Sequence, residues 1–243
     1  MFDKWRKYSY AAQKQRRHRI LRASAWVFSL FLLYSFVSTF LIYSVVVDNQ
    51  TMRPGLQPGD RLLVSSIGLG SRLPFVDGAT APAALKRGSI VVVVPSRSAA
   101  SRNPFFAFAK GFIRFFTAQR VDLGGENERM LIKRVVALPG DAVSMIDFVL
   151  RVRPAGDSYA LTEFELASRP YDLTLPALPE GWGPSVPLSG TMDQLVLGGD
   201  ECFLVSDDRG NTNDSRTWGP TKLRSVVGKA VIRYWPPRRL GRP

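Results

Sequence analysis

Three short segments of this 243-residue chain concentrate the side chains that can do chemistry. Thr51-Met52-Arg53-Pro54-Gly55-Leu56-Gln57-Pro58-Gly59-Asp60 sets a hydroxyl in a run of turn residues. Ile132-Lys133-Arg134-Val135-Val136-Ala137-Leu138-Pro139-Gly140-Asp141 carries two cations on a strand-like run that ends in a turn. Ser206 to Pro220 crowds Asp, Asn, Arg and hydroxyl residues into one polar loop. Taken singly, each has an ordinary reading: a turn, a solvent-facing strand lysine, a hydrogen-bonded surface loop. A hydroxyl or thiol nucleophile needs a base to activate it, most often histidine. The chain has one histidine, His18, in a basic leader, and one cysteine, Cys202, in the apolar run Cys202-Phe203-Leu204-Val205. Histidine-based serine or cysteine catalysis is excluded, as is a metal site built on several His or Cys ligands. Cys202 reads as a small buried strand residue, and no intrachain disulfide can form.

The elements that must position these segments are mostly strands. Arg61–Val64, Ile90–Val94, Leu131–Leu138, Phe203–Val205 and Val226–Tyr234 are short β-rich runs separated by Gly, Pro and Asp turn signals. Alternation does not separate the two cations: Lys133 shares a face with Leu131 and Val135, and Arg134 shares the other with Ile132 and Val136. Inserts of less regular character are expected at about 95–125 and 145–200, the latter carrying hairpins. Hydrophobic residues make up 45% of the chain, enough for a sizeable core.

The formal charge is +13, and its placement decides its meaning. Residues 1–22 hold eight basic side chains and one acid, followed by 25 uncharged residues from Ala23 to Val47. As a helix that run would be about 37 Å long, enough to cross a bilayer, and it exceeds the apolar core of a cleaved signal peptide. The expected organisation is a basic cytoplasmic leader over 1–22, a transmembrane helix over 23–47 and an extracytoplasmic β-rich domain over 48–243. The positive-inside rule sets that orientation. Basic charge gathered ahead of a span points to membrane lipid and away from nucleic acid as partner. A second apolar stretch, Pro104–Thr117, has six phenylalanines but is too short to cross, and reads as a core helix, an irregular insert or a segment at the lipid headgroups.

In order and spacing the boxes resemble those of the signal peptidase I family. That family has a Ser-Met-x-Pro-Thr-Leu box after a transmembrane segment, an Arg-Gly-Asp-Ile strand start, a Lys-Arg-Val-x-Gly-x-Pro-Gly-Asp box and a Gly-Asp-Asn-Arg-Asn-Ser-x-Asp-Ser-Arg type of box. The corresponding stretches here are Thr51–Leu56, Arg87-Gly88-Ser89-Ile90, Lys133–Asp141 and Ser206–Gly219. The resemblance runs from the anchor to about Trp235.

It implies a signal-peptidase-like β domain with a LexA-like β-barrel core, and a membrane-bound endopeptidase that removes signal peptides from secreted precursors. It implies a hydroxyl/lysine dyad with Thr51 in the nucleophile's place and Lys133 as general base, and no metal or organic cofactor. Thr212 falls on the family's lysine-orienting serine. Asn49, with the Thr51 backbone N–H, falls on the oxyanion donors. Val45, Val47, Met52, Leu56 and Ile132 match the walls of the pockets for small substrate residues, and Asp207, Arg209, Asp214 and Arg216 match the loop's supports. The implied location is the cell inner membrane, single-pass, with precursor proteins, lipid and the secretion machinery as partners. Four departures stand out: threonine replaces the nucleophilic serine, Ser206 replaces the usual glycine, and Asp208 and Gly210 replace the common Asn and Asp. The alternative is a catalytically degenerate homologue that serves as a membrane-anchored binding or accessory protein.

Overall fold

The computed structural model describes residues 10–36, 42–67, 85–94, 130–177 and 190–243. One compact unit contains the helix α1 (Tyr10–Phe36), and a second contains the strands found among the described residues. Of the run 23–47 expected to form a transmembrane helix, residues 23–36 lie in α1 and residues 42–46 in a strand. The helix begins within the basic leader and runs 27 residues to Phe36. The described uncharged part of this helix, residues 23–36, is about 21 Å long at 1.5 Å per residue. No described helix is long and apolar enough to cross a membrane. The end of the uncharged run is instead strand β1 (Ile42–Val46), antiparallel to β2 (Arg61–Ser65), with Val45 opposite Leu62 and Tyr43 opposite Val64. Pairing with an apolar strand suits β-branched residues, which lose side-chain freedom in a helix. The Phe-rich segment 104–117 lies outside the described residues.

The strand unit is mostly β, as expected. It adds β3 (Ile90–Val93), β4 (Leu131–Ala137), β5 (Ala142–Ile146), β6 (Val149–Arg153), β7 (Leu161–Thr162), the short helix α2 (Glu163–Leu166), β8 (Met192–Val196), β9 (Glu201–Val205), the short helix α3 (Ser215–Trp218), β10 (Thr221–Lys222) and β11 (Val226–Trp235). A seven-stranded sheet runs β1-β2-β11-β3-β4-β9-β10, and a four-stranded sheet runs β7-β6-β5-β8. The second sheet is the stretch expected to be less regular. Its β5–β6 hairpin turns through Asp147 and Phe148, both at positive φ (50° and 64°), where neither residue is a glycine.

Three apolar clusters fill the strand unit. The first joins Met52 and Leu56 of the turn after β1 to Leu62, Val64, Val92, Ile132 and Val227. The second gathers Val91, Val135, Cys202, Leu204 and Val226. The third places Val136, Phe203 and Val205 with Val143, Leu150 and Val152 of the smaller sheet. Strand β4 contributes to all three clusters, so both of its faces are covered.

Candidate active site

Covering both faces of β4 buries Lys133 and Arg134, at 1% and 5% exposure. Their fates then differ. Arg134 forms a forked ion pair with Asp207, through Nε to Oδ1 at 2.6 Å and Nη2 to Oδ2 at 2.5 Å. It also donates to the Gly88 carbonyl and lies 3.9 Å from the centre of the Tyr171 ring. Lys133 instead donates to a hydroxyl, from Nζ to Ser206 Oγ at 2.8 Å. Burial without a bound carboxylate disfavours the ammonium form. Burial therefore lowers the Lys133 amine from the ordinary lysine value to about 8; Asp214 and Asp207 pull it up, and Arg216 pushes it down.

The polar loop that follows β9 is held from within. The Ser206 N–H donates to Asp214 Oδ2 at 2.9 Å, and Asp214 pairs with Arg216 at 2.8 Å. Arg216 also reaches the Arg209 carbonyl, at 2.9 Å. Arg209 is fully buried and pairs with Glu163 of α2, which also accepts from the Tyr171 hydroxyl and from the Leu150 N–H. Of the expected supports, Asp214 and Arg216 pair with each other, while Asp207 and Arg209 each take a partner outside the loop.

Thr51 is 8% exposed, on the turn between β1 and β2. Its hydroxyl donates to Asn49 Oδ1 at 2.7 Å, and its own N–H reaches the same oxygen at 3.2 Å. The Asn49 amide N–H faces the other way, to Asp48 Oδ1 at 3.0 Å. Expected as a donor, Asn49 thus presents an acceptor to Thr51. The Thr51 carbonyl accepts from the Asp208 N–H at 3.0 Å, which ties this turn to the loop that carries Ser206. Gly55 lies against the same loop: a Cβ there would stand 3.7 Å from Asp207 Oδ2.

The remaining expected residues fall as follows. Val45, Val47, Met52, Leu56 and Ile132 meet in one cluster, but Val47, Met52 and Leu56 are fully buried and Ile132 is 2% exposed. In this state they fill core, and of the five Val45 alone keeps appreciable surface. The lysine's hydroxyl partner is Ser206 where the resemblance implied Thr212; the Thr212 carbonyl accepts from Thr217 Oγ1 and from the Asp214 N–H. Arg87 and Asp141, from two of the boxes, form a forked pair at 2.8 and 3.1 Å that closes the turn after β4. Sequence reasoning missed Ser206, Glu163 and Tyr171 as parts of this assembly. For Ser206 the signal was present, a hydroxyl where glycine is usual.

Among the described residues no cluster of His, Cys, Asp or Glu could hold a metal ion, and the one histidine lies on α1. Cys202 is buried in β9, where burial raises its thiol to about 12. The class these features define is a β protein whose site chemistry centres on a buried amine. The chain belongs to the signal peptidase, peptidase S26 family, whose model matches residues 20–235. Signal peptidase I of Leptolyngbya laminosa is 26% identical across 84% of this chain and 74% of its own length. Probable signal peptidase I-2 of Synechocystis is 27% identical across 84% and 68%. Signal peptidase I of Pseudomonas aeruginosa is 26% identical across 82% and 67%.

Proposed function

We propose that the chain is a signal peptidase I that cuts exported precursors with the Thr51 hydroxyl as nucleophile and the Lys133 amine as base. One observation carries the reading. Residues 206–208 bind the Lys133 amine through the Ser206 hydroxyl and the Thr51 backbone carbonyl through the Asp208 N–H. Two residues of extended chain cover only about 7 Å, which supports reading the turn and the strand lysine as one site.

In the proposed reaction neutral Lys133 takes the proton from Thr51 Oγ1 as that oxygen bonds to the substrate carbonyl carbon. The Thr51 N–H then faces the developing oxyanion. Turning the Asn49 carboxamide end for end would free the Thr51 hydroxyl and aim the Asn49 N–H at the same oxyanion. As the tetrahedral intermediate collapses, the Lys133 ammonium returns its proton to the leaving amine. Water, deprotonated by Lys133, then hydrolyses the threonine ester. Residues around Val45 would form the small substrate pockets. No metal or organic cofactor enters any step.

The basic leader, the apolar half of α1 and the β domain are proposed to lie in the cytoplasm, in the membrane and on the exported side respectively. Supporting this, Trp26, Val27, Phe28, Leu30 and Leu33 of α1 are each more than half exposed and lie around the whole helix, an arrangement suited to lipid. Precursor proteins, lipid and the secretion machinery are the proposed partners.

The test is cleavage of a precursor carrying Ala at the first and third positions before the cut. Thr51→Ala and Lys133→Ala should each lose activity by a factor on the order of 1,000 or more, and Thr51→Ser should retain or raise it. The bond from the Thr51 hydroxyl to Asn49 favours a second reading, a non-cutting accessory protein. An inert wild type beside an active Thr51→Ser would select it.

A further inference from the structure

We propose that Ser206 is a positioning residue for Lys133: its hydroxyl fixes the amine's direction and stabilises the ammonium formed when the amine takes a proton. The inference rests on the lysine-base reading above. Ser206 is fully buried, and its Oγ is the hydroxyl that receives the Lys133 N–H, at 2.8 Å. Its backbone is anchored independently, since the Ser206 N–H is held by Asp214 Oδ2 at 2.9 Å and Asp214 is locked by Arg216. The position is therefore fixed whatever side chain it carries, and the hydroxyl is the part free to serve the lysine.

A neutral amine has two N–H bonds and one lone pair. Committing one N–H to Ser206 restricts rotation about the last side-chain bond and limits where the lone pair can point. Once the amine is protonated, the same oxygen accepts from a cation, a stronger bond than the one made to the neutral form. An acceptor that favours the charged form raises the proton affinity. The charged groups acting on the amine are Asp214, Arg216 and Asp207, all from the loop. Strand β3 sets Val91 opposite it. Against that constant background, removing the hydroxyl should lower the amine's pKa further.

The experiment compares wild type with Ser206→Ala across pH. Expected are a fall in kcat of about 10- to 100-fold with KM little changed and an acid limb of kcat/KM displaced to lower pH. The Lys133 side-chain NMR signal, titrated in the full chain, should move the same way. Ser206→Gly, which also lacks the hydroxyl, should repeat all three results. A merely structural residue would lower the amount of folded enzyme and leave the limb and the titration in place; that outcome, or failure of both variants to fold, overturns the proposal. An inert wild type would refute the peptidase reading, and the NMR titration would still decide the role of Ser206.

Discussion

Lys133 and Arg134 are sequence neighbours with nearly equal burial, and the difference between them is a carboxylate. Arg134 has Asp207 within a fork of hydrogen bonds, whereas among the described residues the Lys133 amine is hydrogen-bonded to the Ser206 hydroxyl alone. An arginine stays charged under all ordinary conditions and must be paired when buried; a lysine can give up its proton. Two predictions follow from the amine's value near 8. Because the base works when neutral, kcat/KM should rise about tenfold per pH unit up to roughly pH 8 and then level off, in a pH–rate profile of precursor cleavage. Stability should respond in a related way. The folded amine releases its proton near 8 and the unfolded one near 10.5, so at and below pH 8 folding is opposed by about 3 kcal/mol, and the opposition fades as pH rises between the two values. Lys133→Met should therefore abolish cleavage yet raise the melting temperature by several degrees at pH 7. A variant equally stable or less stable at pH 7 would mean that the amine is not held at a cost.

At the scale of elements, the smaller sheet and α2 brace the site. Glu163 gathers Arg209, the Tyr171 hydroxyl and the Leu150 N–H around one carboxylate, and Tyr171 presents its ring to Arg134. Removing that carboxylate strands the fully buried Arg209 charge. Glu163→Ala should cost about 3–5 kcal/mol in denaturant unfolding and lower activity as the 206–216 loop loosens. Glu163→Ala combined with Arg209→Met should recover much of the stability without the activity, the coupling expected of a pair in contact. Independent, additive losses would mean that the two side chains do not act as a unit. Little of this brace was legible beforehand. The β5–β6 turn uses Asp147 and Phe148 at positive φ, so it lacks the Asn-Gly or Asp-Gly signature that marks a tight hairpin. The strands of the main sheet were legible because β-branched runs there end at Gly, Pro and Asp. Strand β1 was not, since an uncharged run has no periodicity to tell strand from helix, and only pairing with β2 decides it. Choosing between Lys133 and Arg134 needed both faces of β4 to be seen covered, and the lysine's partner needed the path of the loop through Ser206.

For the whole molecule the governing quantity is where the charge lies. Eight of the 33 basic residues fall within the first 22 positions, against one acid. Directly after them comes the uncharged run that α1 enters. A charge block ahead of an apolar segment resists translocation, because each cation would have to cross the bilayer interior, and so the block fixes orientation. A nucleic-acid binder would need its cations spread over a folded surface, where phosphates could reach them. The two readings separate in cells. The full chain should remain in the membrane fraction after alkaline carbonate washing, and protease added on the exported side should digest the β domain while sparing the leader. Replacing Arg16, Arg17, Arg19 and Arg22 by Glu should scramble that pattern, leaving part of the population with its β domain protected. The same replacement should leave β-domain stability unchanged within about 0.5 kcal/mol, since all four positions lie on α1, in the other compact unit. A carbonate-soluble chain, or an orientation indifferent to the four substitutions, would remove the membrane reading and leave the active-site chemistry to be judged on its own.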